Sequence, residues 1–264
     1  MALLDTAIDT GTPALTGQVI STIDVLGRPN ADGASTVHGT EMASLIAARP
    51  QSETSVYGVA VNAEILSIPI VGQFAAEPSA IVSALREAVR AHAQVIALPY
   101  GTSSWPSEVQ DALRDAVAQG AVPVQSAGNR GQDSAVPPID GTLVAASLNL
   151  TSRTLEPYSG PATTRGFVVP GGEASPGGHR VAVLAPGNRT ESAAGTSVST
   201  ALLAGAVAWL QGTAPRAEST QVVACLKETA QDVGPTGPDA EYGFGIPDLA
   251  AAARCLDGGN GGAR

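Results

Sequence analysis

Four polar residues of this chain stand at the ends of apolar runs. Asp5 follows ALL, His38 precedes GTEMASLIAA, Asn129 follows VPVQSAG, and Ser197 precedes VSTALLAGAVAWL. Together they make a complete set for acyl transfer. A serine hydroxyl is a poor nucleophile until an imidazole takes its proton, and the imidazole needs a carboxylate to fix its tautomer and stabilise its charge. A side-chain amide then donates to the tetrahedral oxyanion. A hydroxyl at a helix start also lies beside unpaired backbone N–H groups. Taken alone, Gly195-Thr196-Ser197 is a weak signal and reads first as an ordinary helix start with Ser or Thr as N-cap. The three distant residues give it the catalytic reading.

Such groups need a frame that gathers them. Short Val/Ile/Leu/Ala runs alternate with helical patterns, which predicts an α/β fold with a parallel sheet covered on both faces. Strands are expected at 2–4, 16–25, 63–69, 95–98, 122–126, 142–147 and 180–184, and helices at 39–48, 78–92, 107–119, 197–211, 219–228 and 248–256. In open α/β sheets functional groups collect beyond the carboxyl ends of the strands, where all four residues fall. The Gly/Pro/Ser/Thr-rich segment 152–178 has no period and is expected to be surface loop with a hairpin.

Composition narrows the partners. The 264 residues are 44% hydrophobic and 14% charged, which suits one globular domain over 1–256 followed by a Gly-rich flexible tail at 257–264. A net charge of −10 disfavours nucleic acid, and no apolar stretch approaches the about 20 residues of a membrane span. A monomer is expected. Residues 2–4 look like the tail of a strand, so upstream residues are expected to be missing. The chain would be secreted if a signal and propeptide were removed, and cytoplasmic if it is complete as given. Cys225 and Cys255 fit either a disulfide or two buried thiols, and their spacing fits no zinc site.

The motifs resemble those of subtilisin-like serine proteases, the S8 family. Asp5-Thr6-Ala7-Ile8-Asp9 with Pro13 and Leu15 resembles its aspartate motif, His38-Gly39-Thr40 its histidine motif, Ala127-Gly128-Asn129 its oxyanion segment and Gly195-Thr196-Ser197 its serine motif. The order Asp, His, Asn, Ser is also the family's, and GVAVNAEILSIPI, VLAPG and YGFGIPDLAAAA are secondary echoes. The resemblance implies a three-layer αβα sandwich around a mostly parallel, roughly seven-stranded sheet. It also implies a serine endopeptidase with Asp5, His38 and Ser197 as triad, and with Asn129 and the Ser197 N–H as oxyanion hole. An extended polypeptide substrate would lie between edges at 98–101 and 74–76. Its pocket would be walled by Pro99, Tyr100, Gly101 and Thr102 and by Ser126, Ala127 and Gly128, with 130–134 near the mouth.

Asp9-Thr10-Gly11 also spells the aspartic-protease signature. Aligning Ile8, Pro13 and Leu15 with the family pattern selects Asp5 instead and leaves Asp9 in a turn, bonding local amides. Departures from the pattern are Pro99 in place of serine, Ala7 in place of glycine, and Ser199-Thr200-Ala201-Leu202 after the serine. Ala7 would cost about 1 kcal/mol if its φ were positive. The family's calcium loop is missing, because 48–57 offers only Glu53, so no obligatory metal or other cofactor is expected. His92 and His179 are assigned no chemistry. The divergence leaves open the reading of an inactive peptide-binding pseudoprotease, and the lack of a signal and propeptide in the given chain that of a dedicated processor of a peptide precursor.

Overall fold

Alternate side chains of each central strand feed two separate cores in the computed structural model, which describes residues 1–27, 36–52, 54–71, 76–101, 105–131 and 139–259. The strands are β1 (Ala2–Asp5), β2 (Val19–Thr22), β3 (Ile65–Pro69), β4 (Val95–Leu98), β5 (Val122–Ser126), β6 (Leu143–Leu148) and β7 (Phe167–Pro170). They form one parallel sheet in the order β2-β3-β1-β4-β5-β6-β7. On one face Leu3, Val95, Ala97, Val124 and Ala145 pack with helices α1 (Val37–Ala47), α4 (Thr196–Thr213), α5 (Ser219–Glu228) and α6 (Leu249–Gly259). On the other, Ala2, Leu4, Ile96 and Leu98 pack with α2 (Pro78–Arg90) and α3 (Ser107–Ala118). The two-residue period of a strand splits these sets, and cover on both faces explains why β1, β4, β5 and β6 are buried along their whole length.

The three-layer α/β architecture is the expected one, but the seventh strand is not. Phe167–Pro170 lies inside the segment expected to be surface loop, yet Phe167 and Val168 are fully buried and the strand pairs with β6. Three apolar residues between glycines are too short a signal to show a period. The strand expected at 180–184 does form, as β8 (Val181–Ala185), but it leaves the sheet and pairs antiparallel with β9 (Arg189–Ala193), which was not anticipated. The helix expected to end at 256 runs on to Gly259. Cys225 and Cys255 form a disulfide that ties α5 to α6, which settles the choice left open by the sequence.

Strand order reverses between β1 and β4, neighbours in the sheet whose chains continue in opposite directions across it. Ligand sites of open α/β sheets lie at such a point, outside the carboxyl ends of the strands.

Candidate active site

Asp5 is the last residue of β1 and is buried, with its carboxylate turned toward the first turn of α1. His38 Nδ1 lies 2.7 and 2.8 Å from the two carboxylate oxygens. A carboxylate only accepts, so Nδ1 carries the hydrogen, and in the neutral imidazole Nε2 then holds the lone pair, on the side away from Asp5. Burial pulls the half-buried imidazole down, but the hydrogen bond to Asp5, the charge of Asp5 and that of Glu41 outweigh it and hold His38 above its ordinary range. Glu41 is itself raised by burial, with Glu191 and Asp5 adding to the rise and His38 opposing it.

The approach of α1 to β1 depends on small groups. Gly39 donates its N–H to Thr6 Oγ1 at 2.8 Å. A Cβ on Gly39 would meet the carbonyl oxygens of Thr6 and Ala7, so glycine after the histidine is what lets the helix start nest there. Ala7 itself does not hold a positive φ: among the described non-glycine residues only His92, Arg153, Thr163 and Asn188 do. Alanine in the place of the usual glycine therefore carries no backbone cost. Asp9 is turned away, accepting from the N–H groups of Gly11 and Gly187 at 3.0 and 2.9 Å and from the Thr12 hydroxyl at 3.1 Å. Those bonds, that to Gly187 first, hold its carboxyl below the usual range.

Ser197 is the second residue of α4 and half-buried. The N-cap is Gly195, at φ 152°, and no side chain caps the helix, so neither Thr196 nor Ser197 plays the ordinary capping part. Thr196 is used differently. Its N–H and its hydroxyl both reach Asn129 Oδ1, at 2.9 and 2.8 Å. A backbone N–H must face an acceptor, which fixes the amide oxygen on that side and turns Nδ2 away from Thr196. A Cβ built on Gly195 would lie 3.3 Å from Ser197 Oγ and 3.4 Å from Asn129 Nδ2, so hydroxyl and amide bracket one small volume.

Both functional helices start at the carboxyl edge of the sheet, α1 beside Asp5 and α4 beside Ser126 and Asn129. They meet where Gly205 packs on Ile46, residues at equal distances along the chain from Ser197 and His38, so the two helices run in the same sense from that edge. Behind Ser197, Gly195 donates to the carbonyl of Gly171 at 2.9 Å. Tyr158 donates to the carbonyl of Gly172 at 2.6 Å, and burial pushes its hydroxyl up to about 12, so it remains a donor.

The two expected pocket walls lie side by side. A Cβ on Gly101 would sit 2.8 Å from the Ser126 carbonyl oxygen and 2.9 Å from the Gly128 backbone. Pro99 is buried, while Tyr100 and Gly101 are half-buried. Ser126 and Ala127 are buried, at 3% and 0% exposure, so neither presents its side chain to a ligand. Thr102, 132–134 of the expected pocket mouth, and 74–75 of the second substrate edge lie outside the described residues, as does Glu53. The roles of Thr6, Thr196 and Ser126 were not foreseen, since nothing local marks a hydroxyl whose partner lies 70 residues away, as Thr196 does from Ser126.

Comparison with known proteins agrees with this fold. The model of the subtilase family, Peptidase S8, matches residues 1–245. Among solved structures, the protease domain of PatA, in a serine-to-alanine mutant, superposes with a TM-score of 0.82 at 23% identity, covering 98% of this chain and 94% of that one. The prenylagaramide maturation protease PagA gives 0.79 at 20% identity, over 97% and 92%. Fervidolysin from Fervidobacterium pennivorans, a keratinolytic enzyme related to subtilisin, gives 0.81 at 24% identity, over 96% of this chain but 42% of its own. No curated protein sequence matches the chain.

Proposed function

We propose that this chain, which belongs to the subtilase family and is a subtilisin-like serine peptidase, cuts internal peptide bonds using Ser197, His38, Asp5 and Asn129. The observation that carries the assignment is the Asp5–His38 pair at the carboxyl edge of the sheet, which turns the imidazole's second nitrogen away from Asp5 as the atom to accept a proton. Ser197 Oγ attacks the scissile carbonyl carbon as its proton passes to His38 Nε2. Asp5 holds the tautomer and stabilises the imidazolium. Asn129 Nδ2 and the Ser197 N–H donate to the oxyanion. When the C–N bond breaks, His38 returns the proton to the departing amine. A water activated by His38 then hydrolyses the acyl-enzyme, releasing the second product and restoring Ser197.

Polypeptide in extended form, laid along the main chain of 98–101 and 126–128, is the proposed substrate, acted on by a monomer. Apart from the substrate and the hydrolytic water, every group in these steps is a side chain or a backbone N–H, so the reaction as proposed calls on no metal or organic cofactor. The test is labelling by a fluorophosphonate probe together with casein turnover. Both are expected in the wild type and lost in Ser197→Ala, and labelling that survives the substitution refutes Ser197 as nucleophile.

The alternative of an inactive peptide-binding protein draws on Ala7, Ala201 and Leu202. It is weakened because Ala7 is unstrained and Ala201 is wholly buried in the core, away from the reacting groups. A dedicated precursor-processing role draws on the likeness in size and fold to PagA, a maturation protease. Cleavage of a peptide encoded beside the gene, with casein left intact, would favour that narrower role.

A further inference from the structure

We infer that Ser126 is a positioning residue for the oxyanion donor Asn129, acting through Thr196. The inference rests on the assignment of Asn129 made above and adds to it the element that orients the amide.

Two polar contacts link the two residues through Thr196, and a third anchors Ser126. The Gly128 N–H donates to Ser126 Oγ at 3.2 Å, Ser126 Oγ and Thr196 Oγ1 are 2.7 Å apart, and Thr196 Oγ1 reaches Asn129 Oδ1 at 2.8 Å. Ser126 is 3% exposed and Thr196 is fully buried, so water does not compete for the contact between their hydroxyls. The hydrogens can be assigned by counting. Asn129 Oδ1 already accepts the Thr196 N–H, so this oxygen can only accept, and the Thr196 hydroxyl must spend its one hydrogen there. The contact between the hydroxyls then requires Ser126 to donate to Thr196. With its hydrogen so placed, Ser126 Oγ is free to accept from Gly128. The result is a one-way relay from the Gly128 N–H through Ser126 and Thr196 to the amide oxygen, in which each bond polarises the next.

The relay has a chemical consequence because Asn129 is exposed and its oxygen is held, among the described groups, only by the Thr196 N–H and by the Thr196 hydroxyl that Ser126 orients. Fixing Oδ1 decides where Nδ2 points, namely into the volume it shares with Ser197 Oγ beside Gly195. An interaction made only with the oxyanion acts on kcat and leaves KM alone. Ser126 therefore contributes to turnover without touching substrate through its side chain.

The experiment is a double-mutant cycle read on the best-cleaved member of a fluorogenic peptide panel. Ser126→Ala is expected to lower kcat about tenfold, the worth of one buried hydrogen bond, with KM within twofold. Ser126→Cys, which keeps the volume and a weak donor, should fall between it and the wild type. Asn129→Ala alone should cost about 10²- to 10³-fold, and adding Ser126→Ala to it should cost nothing further. Should Ser126→Ala fail to fold, Thr196→Val breaks the relay at its next link and is expected to show the same kcat loss and the same silence in the Asn129→Ala background. Unchanged kcat in Ser126→Ala, or an equal loss with and without Asn129, overturns the inference while leaving Asn129's own role standing. Unchanged kcat in Asn129→Ala overturns the oxyanion assignment, and the positioning role falls with it.

Discussion

His38 places Nδ1 within 2.8 Å of both oxygens of Asp5, although a second carboxylate, Asp9, stands in the loop that follows β1. The sequence offers both, but the structure gives them different work. Asp9 binds the loop to Gly187 in the turn between β8 and β9, far along the chain. Asp5→Asn should therefore lower kcat about 10⁴-fold with little change in KM, since the amide can present its N–H to Nδ1 and stabilise the wrong tautomer. Asp9→Asn should keep kcat within a few-fold and lower the melting temperature by about 2–4 °C, the equivalent of about 1 kcal/mol in a chain of this size. Steady-state kinetics and thermal melts on the two variants separate the roles.

The same pair sets the pH dependence. Catalysis needs neutral His38, whose pKa in the folded protein is held above the ordinary imidazole range of about 6.5. The acid limb of kcat/KM should lie above that value. Glu41→Gln removes one of the charges raising it and should move the limb to lower pH. Stability follows the opposite course. A raised pKa contributes stability that is fully present below the unfolded value and lost as pH rises through the folded one. Asp9, whose pKa is depressed, contributes stability above its unfolded value that is lost as pH falls through the folded one. A limb that does not move in Glu41→Gln would remove Glu41 from this account.

The Cys225–Cys255 disulfide closes a separation of 30 residues between α5 and α6. Constraint of the unfolded chain over such a loop is worth roughly 3–4 kcal/mol. Replacing both cysteines by serine should lower the melting temperature by roughly 6–16 °C. Gln211, near the end of α4, bonds Ser219 at the start of α5, so the staple supports the end of α4 opposite Ser197. Turnover at 25 °C should be unchanged. Calorimetry of the oxidised and reduced wild type provides the same comparison without mutation.

What the sequence made legible follows from locality. Ile81, Ala84, Leu85 and Ala88 recur at helical spacing, and all four are buried in α2. Asp5, His38, Asn129 and Ser197 were visible because each interrupts a run of apolar residues at its end. β9, in contrast, is RTESA, four of its five residues exposed, and it is a strand only because β8 lies beside it. Ser126 has the same cause of obscurity. It ends a strand like any turn serine, and its meaning depends on Thr196, which the fold alone brings within 2.7 Å.

Gly195 offers the sharpest test of the site's geometry. Its φ of 152° is one that side-chain-bearing residues rarely adopt, so Gly195→Ala adds a strain of about 1–3 kcal/mol. The new methyl would also stand 3.3 Å from Ser197 Oγ and 3.4 Å from Asn129 Nδ2, inside the volume where the oxyanion is proposed to form. Strain alone would lower the melting temperature and spare the surviving fold's activity. Occupation of the oxyanion volume would also slow fluorophosphonate labelling, by about 10²-fold if the methyl denies one donor its bond. Gly212→Ala is the control. Gly212 lies in the last turns of α4 with nothing within 4 Å of the added carbon. Helix propensity there should stabilise the protein by about 0.5–1 kcal/mol and leave labelling untouched. A Gly195→Ala enzyme that melts early but labels at the wild-type rate would place the oxyanion elsewhere than between Ser197 and Asn129.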